Sequence, residues 1–291
     1  MPLNKYEIFR TVVEAGNLSK AAQEIGLSQS AVSHALASLE SEFGFELLTR
    51  GRLGIKLTSN GENVLVYIKE ILNLNEKLMQ KVSKINGLEI GIVRIGTFPS
   101  VSIQWLPQII NRFDEDYPNI ELKLFEGNYD KIERWLADGT IDFGFLPLPI
   151  SKSHEAIPLK KDRLLCIMSD EHPLAEQELI YLKQIEEESF IMPKSTIDKD
   201  VRRVLKKHKI KPKVRYEIAE DFAIISMVAN NLGISILPEL ILYNLPENIR
   251  VIPLEGNYYR SIGMVTASLR QLSPGAKRLI EIIQDGAGAE S

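Results

Sequence analysis

The 291-residue chain has a single cysteine, Cys166, which excludes an internal disulfide framework and suits a reducing compartment. It has no apolar run near the ~18–20 residues that carry a helix across a bilayer. Its first residues, Met1-Pro2-Leu3-Asn4-Lys5-Tyr6-Glu7, lack the basic and apolar segments of a secretory signal. A cytoplasmic protein with no membrane partner is therefore expected. There is no His-Glu-x-x-His, no paired Cys-x-x-Cys, no phosphate loop ending in Gly-Lys-Ser/Thr and no Gly-x-Ser-x-Gly elbow. His34, His154, His172 and His208 are scattered, and no nucleophile stands beside an acid–base pair. No metal, no cofactor and no enzymatic activity are expected. An excess of positive charge is missing too. The net charge is −4. Residues 1–58 balance six basic groups (Lys5, Arg10, Lys20, Arg50, Arg52, Lys56) against six acids (Glu7, Glu14, Glu24, Glu40, Glu42, Glu46). Nucleic-acid binding, if it occurs, has to rest on local segregation and geometry rather than on bulk charge.

What is present divides the chain by texture. Tyr6, Phe9 and Val13 recur at helical spacing, so residues 4–15 read as an amphipathic helix ending near Gly16. Ser19 is placed to cap a second short helix, stopped at Gly26, and Ser28 a third running to about Ser41. Two short extended pieces around Gly51 and Gly54 read as a β-hairpin wing. A long helix begins at Ser59, with Glu62 completing a capping box, and ends at Gly87. Its inward positions, Val64, Ile68, Ile71, Asn75, Leu78, Val82 and Ile85, alternate by four and three like a coiled-coil seam. Asn75 on that seam has the character of a register-setting amide, so the first six are read as a dimerisation stripe; packing on its own chain is the other reading.

Beyond Gly87 strands alternate with helices. Ile92–Ile95, Ile120–Phe125 and Ile141–Leu146 form one series, and Leu164–Met168, Phe190–Met192, Val214–Ile218 and Ile234–Leu237 a second. Such alternation implies parallel sheets and two α/β lobes. The last helix, near 274–284, is expected to pack back on the first lobe.

Residues 28–39 sort onto two faces of one helix. Val32, Ala35, Leu36 and Leu39 form the buried stripe, while Ser30, Ser33, His34 and Ala37 lie opposite, with Gln29 leading. Small polar side chains let a helix approach base edges, and glutamine pairs bidentately with adenine. In a helix-turn-helix the leading residues of the second helix enter the major groove, which assigns Ser28, Gln29, Ser30, Ser33 and His34 to DNA. Arg50, Arg52 and Lys56 on the wing are placed to hold phosphates.

Residues 16–40 carry Asn17-Leu18-Ser19-Lys20-Ala21-Ala22 and then Leu27-Ser28-Gln29-Ser30-Ala31-Val32-Ser33 through Leu39-Glu40. This stretch resembles the helix-turn-helix of LysR-type transcriptional regulators. The similarity continues through Leu47-Leu48, Arg50, Leu57-Thr58 and Gly61. It then runs through Gly91 to Gly96, Leu106-Pro107, Phe113, Tyr117-Pro118, Asp142, His172-Pro173-Leu174 and Gly233-Ile234-Ser235-Ile236-Leu237-Pro238. His34 stands where this family often has arginine, and Arg50 and Arg52 are spaced more closely than its wing arginines.

The resemblance implies a winged helix-turn-helix over residues 1–58 and a linker helix over 59–87. It also implies a two-lobed effector domain like that of periplasmic binding proteins, with lobe I from 88–162 and 265–291 and lobe II from 163–264. It implies a regulator that binds a double-stranded operator as a homodimer or homotetramer and answers to a small-molecule effector. The chain is expected to cross between lobes near Lys160–Asp162 and Met264–Ala267. Effector candidates are Thr97, Pro99, Ser100 and Ser102 at one strand-to-helix turn and Lys194, Ser195 and Thr196 at another, with Asn128 and Pro147 on the rim. Helix N-termini there favour a small anionic metabolite. The nine basic residues within 199–215, against Asp200 alone, are read as the solvated face of a helix rather than a second nucleic-acid patch. A cytosolic solute-binding protein with an N-terminal interaction module is the alternative reading.

Overall fold

The computed structural model describes residues 2–51, 54–85, 90–150, 153–194 and 199–287. The chain divides into two compact units, Met1–Gly91 with Ala137–Thr140, and Ile92–Leu136 with Ile141–Ser291.

In the first unit α1 (Pro2–Ala15), α2 (Leu18–Ile25) and α3 (Gln29–Phe43) precede a hairpin of β1 (Leu48–Gly51) and β2 (Gly54–Leu57), then the long α4 (Ser59–Ile85). Ile8, Phe9 and Val12 of α1, Ala21 and Ala22 of α2, and Val32, Leu36 and Leu39 of α3 close one core with Leu47, Ile68 and Leu72. Gly26 and Gly44 end α2 and α3 at φ 73° and 78°, a left-handed conformation that a side chain disfavours.

Two caps differ from the sequence expectation. Asn17, not Ser19, caps α2: its Oδ1 accepts the N–H groups of Ser19 and Lys20 at 2.8 and 3.3 Å, which leaves Ser19 inside the helix. Thr58, not Ser59, caps α4. Its hydroxyl accepts from Gly61 N–H at 2.9 Å and donates to the Glu46 carbonyl at 2.8 Å, so the hairpin's end fixes the helix start. Ser28 caps α3 as expected.

The second unit contains β3 (Gly91–Thr97), α5 (Pro99–Gln104), α6 (Leu106–Asp116), β4 (Ile120–Glu126), α7 (Tyr129–Ala137), β5 (Phe143–Leu148) and β6 (Glu155–Ser169). It continues with β7 (Ser189–Pro193), α8 (Asp200–Lys207), β8 (Lys213–Ile218), α9 (Asp221–Ala229), β9 (Ser235–Pro238), β10 (Ile249–Pro253), β11 (Tyr259–Thr266) and α10 (Pro274–Ala287). One apolar core holds Val93, Ile95, Phe113, Ile132, Phe143 and Phe145, and α10 packs into it through Leu279 and Ile283. This is the first lobe. The second lobe has two cores, one around Phe190, Val201 and Ile236 and the other around Ile191, Ile224 and Leu237.

The sheet arrangement corrects the expectation of purely parallel sheets. Strands run in the order β10-β6-β11-β5-β3-β4, with β9 also paired to β6. β3 and β5 are parallel, but β11 is antiparallel to both β5 and β6. The reason is β6, which is 15 residues long and serves both lobes. Its first half pairs with β11 and its second with β10. Leu159 packs on the first core and Leu164 on the second, so the chain crosses between them. It returns between Tyr258, which packs on the second lobe, and Ile262, which lies in the first, a few residues earlier than expected.

Candidate functional site

Two surfaces collect the chemistry, one in each unit. In the first, α3 buries Val32, Leu36 and Leu39 completely or nearly so, which turns Gln29, Ser30, His34 and Ala37 outward. Ser33 is half-buried at the edge of that face. The Ser28 hydroxyl accepts from Ala31 N–H at 3.2 Å and lies 2.9 Å from Ser30 Oγ, so the leading turn is ordered. Farther along, Lys5 bonds to Ser38 Oγ at 2.9 Å and pairs with the Glu42 carboxylate, tying the later turns to α1.

Glu40 has a part that the sequence reading missed. Its Oε1 accepts the N–H groups of Leu47 and Leu48 at 2.8 and 3.2 Å and so anchors the entry to β1. An acid eight residues before a short strand carries no local signature of that bond. With Glu40 and Glu42 engaged, those two carboxylates do not oppose an anion at the front of α3.

On the hairpin, Arg50 lies on β1 opposite Ile55, and Lys56 is exposed on β2. Ile55 N–H donates to the Gly16 carbonyl at 3.3 Å, joining the hairpin to the turn between α1 and α2. Arg52 lies outside the described residues.

The long helix corrects part of the expected stripe. Ile68 is only 2% exposed and the half-buried Val64 packs beside it, so both contribute to the unit's own core. The helix docks through this first stretch because Ile68 and Leu72 complete the core above α1. Ile71, Leu78 and Val82 are exposed, Asn75 is half-buried, and Tyr67, Leu74 and Ile85 join them in an open apolar stripe.

In the second unit a cavity of about 310 Å³ opens between the lobes. Phe98, Pro99, Ser100, Asn128 and Tyr129 line it from the first lobe. Ala219, Glu220, Asp221 and Ile241 line it from the second. Arg260 lies where the chain crosses. Its guanidinium is 1% exposed and donates Nε to Asp162 Oδ2 at 2.7 Å, Nη1 to Tyr129 Oη at 2.9 Å and Nη2 to Ser100 Oγ at 2.9 Å. It also rests over the Phe98 ring, 5.3 Å from the centroid. The other oxygen of Asp162 accepts Leu240 N–H at 2.9 Å, so one buried ion pair ties both lobes to the crossing strands. Asp200 is buried nearby and pairs with Arg203 at 2.6 Å. Burial pushes its carboxyl above the ordinary range and Asp162 pushes the same way, against Arg203 and Arg260.

Among the expected effector residues, Pro99, Ser100 and Asn128 line the cavity. Asn128 also caps α7, its Oδ1 accepting Lys131 N–H at 2.9 Å. Thr97 and Ser102 do not line it. Their hydroxyls lie 3.1 Å apart, and the Ser102 hydroxyl donates to the Phe98 carbonyl at 3.2 Å. Pro147 sits within β5 opposite Ile262, and Lys194 is exposed away from the cavity wall, its N–H held by the Ile218 carbonyl. Ser195 and Thr196 lie outside the described residues. Sequence reasoning missed Arg260, Asp162, Tyr129, Glu126, Glu220 and Asp221.

The basic stretch after Lys199 is partly consumed in ion pairs. Lys199 reaches Asp130, Arg202 reaches Glu217, Arg203 reaches Asp200 and Lys213 reaches Glu187. Val201, Val204 and Leu205 are buried, so the charges form a solvated helix face. Among the described residues no group of histidine, cysteine and carboxylate side chains is placed to hold a metal ion, and no helix is long and apolar enough to cross a membrane.

Comparison with known proteins agrees with this division. Residues 3–62 match the bacterial regulatory helix-turn-helix protein model of the lysR family, and residues 86–288 match the LysR substrate binding domain. An uncharacterized HTH-type transcriptional regulator of Bacillus subtilis, YvbU, is 33% identical over 293 residues, covering 100% of both chains. Among solved structures, a cysteine variant of full-length OxyR from Pseudomonas aeruginosa superposes with TM-score 0.74 at 19% identity, covering 98% of this chain and 97% of that one. Full-length CbnR complexed with its target DNA gives 0.70 at 20% identity, covering 98% and 99%.

Proposed function

The chain belongs to the LysR family of bacterial transcriptional regulators, and from that premise we propose that it reads its operator with the leading end of α3. The observation that carries this is the division of α3 between a sealed apolar stripe and an outward face of Gln29, Ser30 and His34 at an ordered N-terminus. Gln29 and Ser30 reach base edges, Ser28, Ser33 and His34 contact the walls of the groove, and Arg50, Arg52 and Lys56 hold flanking phosphates. Residues 1–58 serve as the DNA-binding domain and 59–87 as the linker. Two copies join through the open stripe of α4, and dimers assemble further into tetramers. The regulator works in the cytoplasm, where its operator lies, and its role is recognition, with no reaction catalysed.

The effector binds in the cavity between the lobes, against Pro99, Ser100, Asn128 and Arg260. A ligand there touches both lobes and the buried ion pair at the crossing, so it favours one lobe arrangement over another, as a switch requires. A solute-binding protein would share this cavity but would have no need of the polar face on α3.

Gel-shift assays across a salt series, on DNA upstream of the protein's own gene, test the assignment. Ser30→Glu keeps the helix, since an acid in the first turn suits the helix dipole, but places a negative charge against phosphate. Sequence-selective retardation is expected to disappear in Ser30→Glu. Retardation that survives it unchanged rules out α3 as the reading element.

A further inference from the structure

The cavity between the lobes carries more acid than base. Among the described residues Glu126, Glu220 and Asp221 line it, and the single lining cation is Arg260. That guanidinium is already matched: Asp162 receives it at 2.7 Å, and both groups are at most 4% exposed. Asp200, also beside Arg260, is matched in turn by Arg203. Asp130 of the first lobe and Lys199 of the second cancel one another at 2.9 Å. The lining carboxylates of Glu126 and Glu220 have no ion-pair partner among the described residues. Residues 195–198, Ser-Thr-Ile-Asp, bring no basic group whichever way they lie.

The starts of α7 and α9, the two longer helices that open on the cavity, do not restore a preference for anions. The start of α7 is already met by Asn128 Oδ1 on Lys131 N–H, with Asp130 in its first turn. The start of α9 carries Glu220 at its cap and Asp221 in its first turn, so the helix supplies its own negative charge. An anion entering this space would meet like charge from Glu126, Glu220 and Asp221.

Resting on the reading of this cavity as the effector site, we propose that the effector is a small cation-bearing molecule, an amine, amino sugar or guanidino compound. Its positive group sits among Glu126, Glu220 and Asp221, and its neutral polar part accepts from the guanidinium of Arg260 beside Tyr129. Of the side chains behind the expectation of an anionic metabolite, Ser102 and Lys194 do not line the cavity, and Ser100, which does, already accepts from Arg260.

The test is thermal denaturation of the full-length protein with putrescine, agmatine and glucosamine set against succinate, glutarate and glucuronate. A saturable rise in Tm with at least one amine and with none of the acids is expected. Glu220→Gln should then weaken that amine roughly tenfold, as expected for losing one charged hydrogen bond. A rise with an acid, or no rise with any amine, overturns the proposal. Ala219→Trp, which fills the cavity from its wall, separates the two readings. If an acid's effect vanishes in Ala219→Trp, the cavity is the effector site and only the inference about charge falls. If an amine's effect persists there unchanged, the cavity is not the effector site.

Discussion

Arg260 and Asp162, 98 residues apart in the chain, face each other in register on β11 and β6 and share a 2.7 Å hydrogen bond at the crossing between the lobes. Each reaches further, Arg260 to Ser100 and Tyr129 in the first lobe and Asp162 to the Leu240 N–H. Breaking a buried pair from one side leaves the other charge without its partner. Arg260→Ala is therefore expected to cost about 3–5 kcal/mol. Arg260→Lys should recover only part of this, because an ammonium cannot reproduce a planar fork with three partners. Both tryptophans, Trp105 and Trp135, pack on the first lobe's core, so urea denaturation followed by their fluorescence reports on this unit. A loss below about 1 kcal/mol would show that the pair is not a structural tie.

This pair also marks where reading the sequence stops. The helical repeat of Val32, Leu36 and Leu39 exposes the fold of α3 because burial there obeys a local period. The β-hairpin is legible for a similar reason, in Gly51 and Gly54. Nothing local distinguishes Arg260 from an arginine opening an exposed strand; its burial follows from the register of two strands distant in sequence. The first strand-to-helix turn gives only half of its expected effector residues, since Pro99 and Ser100 line the cavity while the neighbouring Thr97 and Ser102 bond within the turn instead. A hydroxyl near a helix start looks the same in sequence whether it serves a ligand or the turn.

Cys166 lies fully buried on β6, and burial pushes its thiol up to about 12 from 9.0. The folded protein thus holds a proton that the unfolded chain releases first. Stability from this group is present below the unfolded value and is lost as pH rises from 9.0 towards about 12. Two outcomes follow. Iodoacetamide should leave the native protein unlabelled near neutral pH but modify the urea-unfolded chain. Cys166→Ala should show a shallower fall in stability above pH 9.0 than the parent. Rapid native labelling would contradict the packing of β6.

Gly61 meets the hairpin at close range. A Cβ built there would lie 2.1 Å from the Leu47 carbonyl oxygen, a backbone atom that is also the acceptor for Thr58 N–H. Gly61→Ala should destabilise the DNA-binding unit by about 1–3 kcal/mol, as overpacking does. Circular dichroism melting detects the loss, and DNA affinity should fall with it because the hairpin shifts. An unchanged melt would mean that α4 and the hairpin slide apart freely.

Lys56 is exposed on β2 with no acid beside it on the hairpin. If it holds a phosphate, Lys56→Ala should weaken binding to operator and unrelated DNA alike. The salt dependence of log K should lose about one unit of slope. A change confined to the operator would instead place Lys56 on a base.

Two substitutions on α4 separate the face that folds from the face that pairs. Ile68 is 2% exposed within the first unit's core, whereas Leu78, ten residues on, is 58% exposed on the same helix. Aspartate at Ile68 buries a charge without a partner, so Ile68→Asp should unfold the DNA-binding unit whatever the protein concentration. Leu78→Asp removes apolar area only from the open stripe. The chain should keep its helical content and melt normally when dilute, but sediment as a monomer and lose binding to paired half-sites. Sedimentation velocity with circular dichroism on both variants decides the matter: a Leu78→Asp protein that still sediments as a dimer would move the subunit interface off α4.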